Sequence, residues 1–306
     1  MLGQLLSLLA TFAVLPLFLA IPTYDALQNT TYLNAYFDMV SAITTTGADI
    51  FADPDRLPAG VHLWRAQVGW LGGLLMWIAA SSVLAPLSLG GFEVTASGEP
   101  GRGDSAPAHM QRGDPRRQLV LVTKALVPIY VGLTLALWVL LMMTGGESLT
   151  ALSHAMSVLA TSGISAVGGV ENASSGLAGE MVMFLFMFFA LSRLTFSTDT
   201  AGAGYVRLDK DPEFRVGMIL VIGVPLSLFV RHWLAALEVS ATEDLPQALH
   251  SLWGTVFTVM SFLTTTGFES ADWIAAQQWS GLGTSGLILM GLALVGGGVA
   301  TTAGGV

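Results

Sequence analysis

The sequence has no cysteine and few charged residues, and both shortages limit what kind of protein it encodes. Without Cys among its 306 residues, a disulfide framework and a thiolate metal site are both excluded. Charged residues make up 11% of the chain and hydrophobic residues 53%, whereas about a quarter of a soluble domain is charged. The mean hydropathy of +0.67 agrees with this imbalance. The composition therefore indicates a membrane protein whose solvent is the lipid bilayer.

Motifs of several other function classes are also missing. The chain has no G-x4-G-K-S/T phosphate loop, no H-E-x-x-H zinc motif and no serine elbow with a plausible triad. Lys and Arg together number only 12 and are scattered, which argues against a nucleic-acid-binding face. We therefore expect neither an enzyme nor a nucleic-acid-binding protein, and no covalently bound cofactor.

Six long apolar segments are present, each near the roughly 20 residues that a helix needs to cross a bilayer. They are Leu2–Pro22, Trp64–Leu89, Leu119–Thr144, Glu180–Thr200, Arg215–Leu237 and Gly281–Val306. Three shorter segments lie between the paired spans, at Tyr36–Thr46, Leu149–Thr161 and Gln247–Thr266. Their length and mixed polarity are typical of re-entrant half-helices. The sequence therefore predicts an all-α polytopic membrane protein.

Basic and acidic residues lie in different loops, and this distribution predicts how the chain is oriented in the membrane. Basic residues are concentrated in or beside two loops, at Arg102, Arg112, Arg116, Arg117 and Lys124 and at Arg207, Lys210 and Arg215. The other loops are mainly acidic, and Arg65 is expected at the edge of a span. Because loops rich in Lys and Arg face the cytoplasm, we expect a cytoplasmic N-terminus. All three half-helices then enter the membrane from the outer side.

One motif occurs three times, each time at the end of a predicted half-helix. Its copies are Ser41–Gly47, Ser157–Gly163 and Ser261–Gly267, and each ends in hydroxyl residues followed by one glycine. A single such triplet is usually a helix end, but three on one side of the membrane predict a shared pore lining. Backbone carbonyls can replace the water shell of a cation without adding a fixed charge, and glycine permits the required backbone. The candidate ion-binding residues are Thr45, Thr46, Gly47, Thr161, Ser162, Gly163, Thr265, Thr266 and Gly267.

The chain thus divides into three units of span, half-helix, glycine turn and span. We expect the first pore repeat at residues 1–89, the second at 119–203 and the third, incomplete at its end, at 215–306, with cytoplasmic linkers at 90–118 and 204–214. Gly72 and Gly73 are expected to allow close helix packing. His154 and His250, early in two half-helices, are more typical of packing residues than of metal ligands.

Taken together, these stretches resemble a known family. The sequence is similar to the membrane subunits of Trk-type bacterial potassium uptake systems, the TrkH/KtrB superfamily. The matching stretches are Ser41–Ala48, Trp64–Gly73, His154–Ser165, Asp211–Arg215, Thr264–Phe268 and Gly296–Gly305. The resemblance covers essentially the whole chain.

The resemblance implies a fold of four repeats around a pseudo-fourfold pore, with one filter glycine in each repeat and potassium as the transported ion. It places a gate loop beneath the filter, at Gly296, Gly297, Gly298, Thr301, Thr302, Gly304 and Gly305. It also implies a homodimer in the bacterial inner membrane and a cytoplasmic nucleotide-binding regulatory subunit. Because only three of the four repeats are present, we expect the sequence to be truncated, with a fourth repeat after Val306.

Two hypotheses from different classes remain open on the sequence. The first is transport of potassium, or of a monovalent cation, through a carbonyl-lined filter. The second is a non-conducting membrane scaffold, or a degenerate repeat protein that keeps only the fold. A transporter of organic solutes ranks lower, because the spans have few polar side chains for a midplane site. The second filter copy, Thr161-Ser162-Gly163, has fewer threonines than the others and leaves the preference for potassium over sodium open.

Overall fold

The structure is a computed structural model that describes residues 2–51, 53–80, 115–191, 212–239, 245–281, 284–298 and 301–303. Ten α-helices and a few short 3-10 turns are found in these ranges, and they contain no strand. The prediction of an all-α fold is therefore confirmed. Most of the two predicted linkers, 90–118 and 204–214, lies outside the described residues.

The helices follow one another along the chain in three groups. The first group contains α1 (Leu2–Ala26), α2 (Tyr32–Ile43) and α3 (Ala59–Ala79). The second contains α4 (Pro115–Met143), α5 (Ser148–Ala160) and α6 (Gly176–Met187), which continues as a 3-10 turn at Phe188–Ala190. The third contains α7 (Pro212–Val239), α8 (Leu245–Leu263), α9 (Trp273–Ser280) and α10 (Ser285–Val295). The predicted half-helices correspond to α2, α5 and α8.

The third group differs from its prediction at the last span. Instead of one helix over Gly281–Val306, a short extra helix, α9, ends at Ser280, and α10 covers Ser285–Val295. Each is followed by a glycine with positive φ, +62° at Gly281 and +72° at Gly296. Such a backbone suits glycine and stops the helix. The apolar run was therefore recognised, and α10 ends where the family resemblance placed the start of a loop, at Gly296. The extra helix α9 was not predicted.

The first helix of each group has the features of a membrane span. In the described part of the chain, α1, α4 and α7 are the three helices long and apolar enough to cross a bilayer. Only 17%, 28% and 22% of their most apolar stretches is buried within the protein. Helices that are apolar all round and exposed need lipid as their surroundings. These helices therefore form the outside of the bundle, while the half-helices lie inside it.

Three glycines on α3 bring the ends of two half-helices together. A Cβ added at Gly72 would lie 2.0 Å from the carbonyl oxygen of Ile43, at the end of α2. A Cβ at Gly73 would lie 2.9 Å from the Cβ of Ala160, at the end of α5. A Cβ added at Gly69 would lie 2.7 Å from the Cδ1 of Ile164, in the chain that follows α5. The expectation that Gly72 and Gly73 allow close packing is thus confirmed, and α3 joins the first two groups.

We predict that Gly72→Ala lowers the free energy of unfolding by about 3 kcal/mol, because overpacking against a backbone carbonyl cannot be relieved by moving a side chain. The matched control is Gly132→Ala in α4, where an added Cβ meets nothing within 4 Å. That change is expected to stabilise the protein by about 0.5–1 kcal/mol through helix propensity. Thermal unfolding of the purified protein in detergent compares the two. Equal melting temperatures for both variants would contradict the close contact at Gly72.

Candidate ion filter

The three half-helices end in the same backbone turn. In each copy, the amide just before the glycine donates to a carbonyl five residues earlier, as Thr46 to Ser41 (2.9 Å), Ser162 to Ser157 (3.0 Å) and Thr266 to Ser261 (2.8 Å). The preceding amide donates to a carbonyl three residues earlier, as Thr45 to Ala42, Thr161 to Val158 and Thr265 to Phe262. This pair of bonds is a Schellman motif, which satisfies two of the last helical carbonyls.

Threonine takes the position in this motif that glycine usually occupies. Thr45, Thr161 and Thr265 have φ values of 54°, 50° and 56°. They are the only residues other than glycine with positive φ in the described ranges. Left-handed backbone costs an L-residue about 1–2 kcal/mol. Strain of this kind persists where the surrounding structure imposes it and is concentrated at functional sites.

Two residues after each strained threonine, the filter glycine is also left-handed. The φ angles are 66° at Gly47, 66° at Gly163 and 81° at Gly267. Two left-handed residues within three positions turn the chain out of the helix. Their carbonyls therefore no longer have to point along the helix axis, as those of a regular helix do.

The loops contact one another in chain order. A Cβ added at Gly47 would lie 2.0 Å from the carbonyl oxygen of Ser162, and one added at Gly163 would lie 2.5 Å from that of Thr266. The same atom at Gly267 would meet nothing within 4 Å in the described structure. Each of the first two glycines thus lies against the residue before the next glycine. The arrangement is an arc of three equivalent loops that is open beyond the third.

Most filter hydroxyls bond within their own loop. The Oγ1 atoms of Thr44 and Thr46 are 2.8 Å apart, and those of Thr264 and Thr266 are 3.0 Å apart. In the second loop Ala160 takes the place of the first threonine, so the Oγ of Ser162 contacts the Oγ of Ser157 instead, at 3.2 Å. These side chains brace the turns, and the second loop is braced differently from the other two.

A buried polar side chain nine residues before each glycine holds the chain that leaves the filter. In the first repeat this residue is Asp38, which is 1% exposed. Its Oδ1 accepts from the Nε of Arg65 at 3.0 Å, and the Nη2 of Arg65 donates to Asp49 at 2.7 Å. Arg65 itself is 4% exposed. It is an internal connection between α2, α3 and the chain that follows Gly47.

The equivalent residues of the other repeats, His154 and Thr258, also hold the chain that follows the glycine, but through different hydrogen-bonding groups. The Nε2 of His154 lies 2.8 Å from the Oγ of Ser165, and its ring packs edge-on against Phe268 of the third repeat. The Oγ1 of Thr258 accepts from the amide of Ser270 at 3.2 Å. His154 is therefore a buried packing and bracing residue. A metal site with three ligands is not found among the described His, Asp and Glu residues.

The predicted gate segment lies beside the third loop. The amide of Gly298 donates to the carbonyl of Ala190 at 2.9 Å, and the Oγ1 of Thr301 donates to the same oxygen at 3.1 Å. The Oγ1 of Thr265 donates to the carbonyl of Ala303 at 3.3 Å. Five of the seven predicted gate residues are described, and they lie between the end of α6 and the third filter loop. Gly304 and Gly305 lie outside the described residues.

Acidic side chains follow two of the three glycines along the chain. Asp49 and Glu269 each lie two residues after a filter glycine. Partial burial and the nearby Glu171 carboxylate raise the pKa of Glu269. Acidic groups at the mouth of a channel raise the local concentration of cations.

Comparison with known proteins identifies the family. Residues 6–190 match the model of the family described as TrkH, a cation transport protein. The chain therefore belongs to the TrkH family. It is a family of transport proteins, not of enzymes, and the resemblance deduced from the motifs is confirmed.

The TrkH relatives match along nearly the whole chain. The Trk system potassium uptake proteins TrkH and TrkI of Halomonas elongata are 31% and 30% identical over 98% and 97% of this sequence. The structure of the potassium transporter TrkH from Vibrio parahaemolyticus has the same fold over 99% of the chain, with a TM-score of 0.75 at 23% identity. The chain spans only 57%, 55% and 58% of these three proteins.

We predict that Arg65→Met lowers the free energy of unfolding by about 3–5 kcal/mol, because it leaves a buried carboxylate without its cation. The control is Asp272→Asn, which breaks the exposed pair of Asp272 with His250 and is expected to cost at most about 1 kcal/mol. Adding Asp38→Asn to Arg65→Met is expected to recover part of the loss. Thermal unfolding in detergent measures all three. An unchanged melting temperature for Arg65→Met rules out the internal connection.

Proposed function

We propose that this chain forms part of the membrane subunit of a Trk-type uptake system and conducts potassium through a filter of backbone carbonyls. The filter residues are Thr45, Thr46, Gly47, Thr161, Ser162, Gly163, Thr265, Thr266 and Gly267. One observation carries the proposal. Three loops share a left-handed threonine and a left-handed glycine, and each of the first two glycines contacts the carbonyl of the next loop.

The chemistry of such a filter follows from the loop geometry. A potassium ion that leaves water needs oxygen ligands in place of its hydration shell, and a ring of carbonyls provides them. The C-terminal end of each half-helix is the negative end of its dipole and favours a cation nearby. The hydroxyl pairs behind the loops hold the turns, so the coordinating role falls to the main chain.

A complete filter requires a fourth wall. Within the described residues the face of Gly267 is open, whereas Gly47 and Gly163 are each covered by the next loop. Carbonyls left on an open side would face lipid or a neighbouring helix, which the hydrocarbon region does not tolerate. We propose that a fourth equivalent loop lies between the third and the first. The relatives, of which this chain spans a little over half, are long enough to contain it.

The setting of the filter is also proposed from the family. The relatives are bacterial Trk system proteins, so we place this chain in the bacterial inner membrane with its N-terminus in the cytoplasm. The resemblance supports a homodimer and a cytoplasmic nucleotide-binding regulatory subunit as partners. A gating role for Gly296–Gly305 is supported by the hydrogen bond between Thr265 and Ala303, which joins that segment to the filter.

The experiment uses the gene that carries this sequence, expressed in bacteria that lack potassium uptake. We predict that the unchanged gene restores growth at low potassium and that Gly267→Ser lowers the preference for potassium over sodium. The added side chain has room in the described structure, so the expected effect comes from the filter and not from a clash. Rubidium uptake in competition with sodium, divided by the amount of protein in the membrane, gives the preference.

The matched control is Gly281→Ser, at the end of α9. Gly281 has nearly the same left-handed φ as the filter glycines and an equally open surrounding, but it lies outside the three loops. The control is expected to leave the preference unchanged. If the unchanged gene does not restore growth, or if both serine variants behave alike, the transport proposal fails. A non-conducting scaffold then becomes the better description.

A further inference from the structure

Glu180 is a buried carboxylate that the transport proposal does not use. It lies in the first turns of α6 and is 1% exposed. Its Oε2 accepts from the Nε1 of Trp253 at 2.8 Å and from the Oγ of Ser270 at 2.7 Å, and its Oε1 accepts from the amide of Ala271 at 2.8 Å. Among the described residues no Lys or Arg forms an ion pair with it.

All three donors belong to the third repeat, whereas Glu180 belongs to the second. A buried carboxylate without a cation is tolerated only where hydrogen bonds replace its water. The donors come from α8, through Trp253, and from the chain three and four residues after Gly267, through Ser270 and Ala271. Glu180 therefore links two repeats at the outer end of the third filter loop.

The third loop has a particular need for this link. Gly47 and Gly163 are each held from the side by the carbonyl of the next loop, but Gly267 has no such neighbour in the described structure. The chain after Gly267 is instead held by side chains of its own half-helix, α8. The amide of Phe268 donates to the Oγ of Ser261 at 2.7 Å, and the amide of Ser270 donates to the Oγ1 of Thr258 at 3.2 Å. Among the described side chains that hold this segment, Glu180 is the charged one.

We infer that Glu180 is a positioning residue that sets the ion preference of the filter. Its carboxylate fixes Ser270 and Ala271, so the carbonyls of Thr265 and Thr266 keep the spacing that suits potassium. The inference rests on the proposed function, because it assumes that the third loop lines the filter. A carboxylate that served only folding would change the amount of protein in the membrane but not the preference of each molecule for potassium.

The test measures rubidium uptake in competition with sodium, per molecule in the membrane, for the complete gene product. Glu180→Gln keeps the size of the side chain, but its amide NH2 turns one acceptor into a donor facing other donors. We expect the potassium preference to fall about tenfold, the scale of a lost hydrogen bond to a charged group. Ser270→Ala removes one of the three bonds to Glu180, together with the bond from the Asp272 amide to the Ser270 Oγ, and is expected to cause a smaller fall. Ser174→Ala, which removes a hydroxyl bond to Gly145 in an exposed outer loop, is the control.

A second pair of variants covers the case in which Glu180→Gln does not reach the membrane. Trp253→Phe removes the Nε1 donor together with part of the ring that packs against Phe184 and Phe257, so its control must lose the same volume. Trp138→Phe removes an indole bond to Ser148, away from Glu180, and is its control. We expect Trp253→Phe to lower the preference and Trp138→Phe to leave it unchanged.

The outcomes separate this inference from the transport proposal. If the unchanged protein takes up no rubidium, the proposed function fails and the inference fails with it. If the unchanged protein transports but the Glu180, Ser270 and Trp253 variants that reach the membrane keep the original preference, only the inference is overturned. A fall in preference for these variants, with both controls unchanged, supports it.

Discussion

A left-handed threonine at the end of each half-helix is the constraint on which the rest of the structure depends. A helix that stops inside a membrane protein must find hydrogen-bond donors for its last carbonyls, and the Schellman bonds satisfy only two of them. Threonine at this position makes the turn costly, so the turn is held only by what surrounds it. The serine six residues before the glycine, the hydroxyl pairs and the buried side chains Asp38, His154 and Thr258 all act on this short segment.

Glycine is the complementary constraint, because it lets the strained turns meet. Gly47 and Gly163 allow the carbonyl of one loop to approach the backbone of the loop before it, and Gly72 lets α3 touch the end of α2. Neither approach leaves room for a Cβ. The three groups of helices therefore share one interior, with the apolar spans α1, α4 and α7 outside and the loops at the centre. Adjacent loops are in contact, so the conformation of one loop depends on the position of the next.

Much of this could be predicted from the sequence, and the failures have a common cause. The half-helices and their glycines were found because apolar runs and a repeated motif are local features. The burial of Arg65 and Glu180 was not found, because a charged residue near the end of an apolar run looks solvated until its partners are known. Those of Arg65 lie elsewhere in its own repeat, and those of Glu180 lie in the next repeat. Aligning the repeats on their glycines gives one signal that was available: Asp38, His154 and Thr258 share one position, nine residues earlier. The end of α10 before Gly296 was indicated only by the family resemblance, because the positive φ that stops the helix is not visible in the composition.

The central claim is that the loops at Gly47, Gly163 and Gly267 surround one ion-binding axis. The most direct measurement is anomalous X-ray diffraction from crystals of the complete gene product grown with rubidium, and with sodium for comparison. We predict anomalous peaks in rubidium on a line bordered by the carbonyl oxygens of Thr45, Thr161 and Thr265 and of the residues that follow them. Rubidium peaks only at side-chain carboxylates, or none near these carbonyls in a structure with the loops well ordered, would contradict the claim.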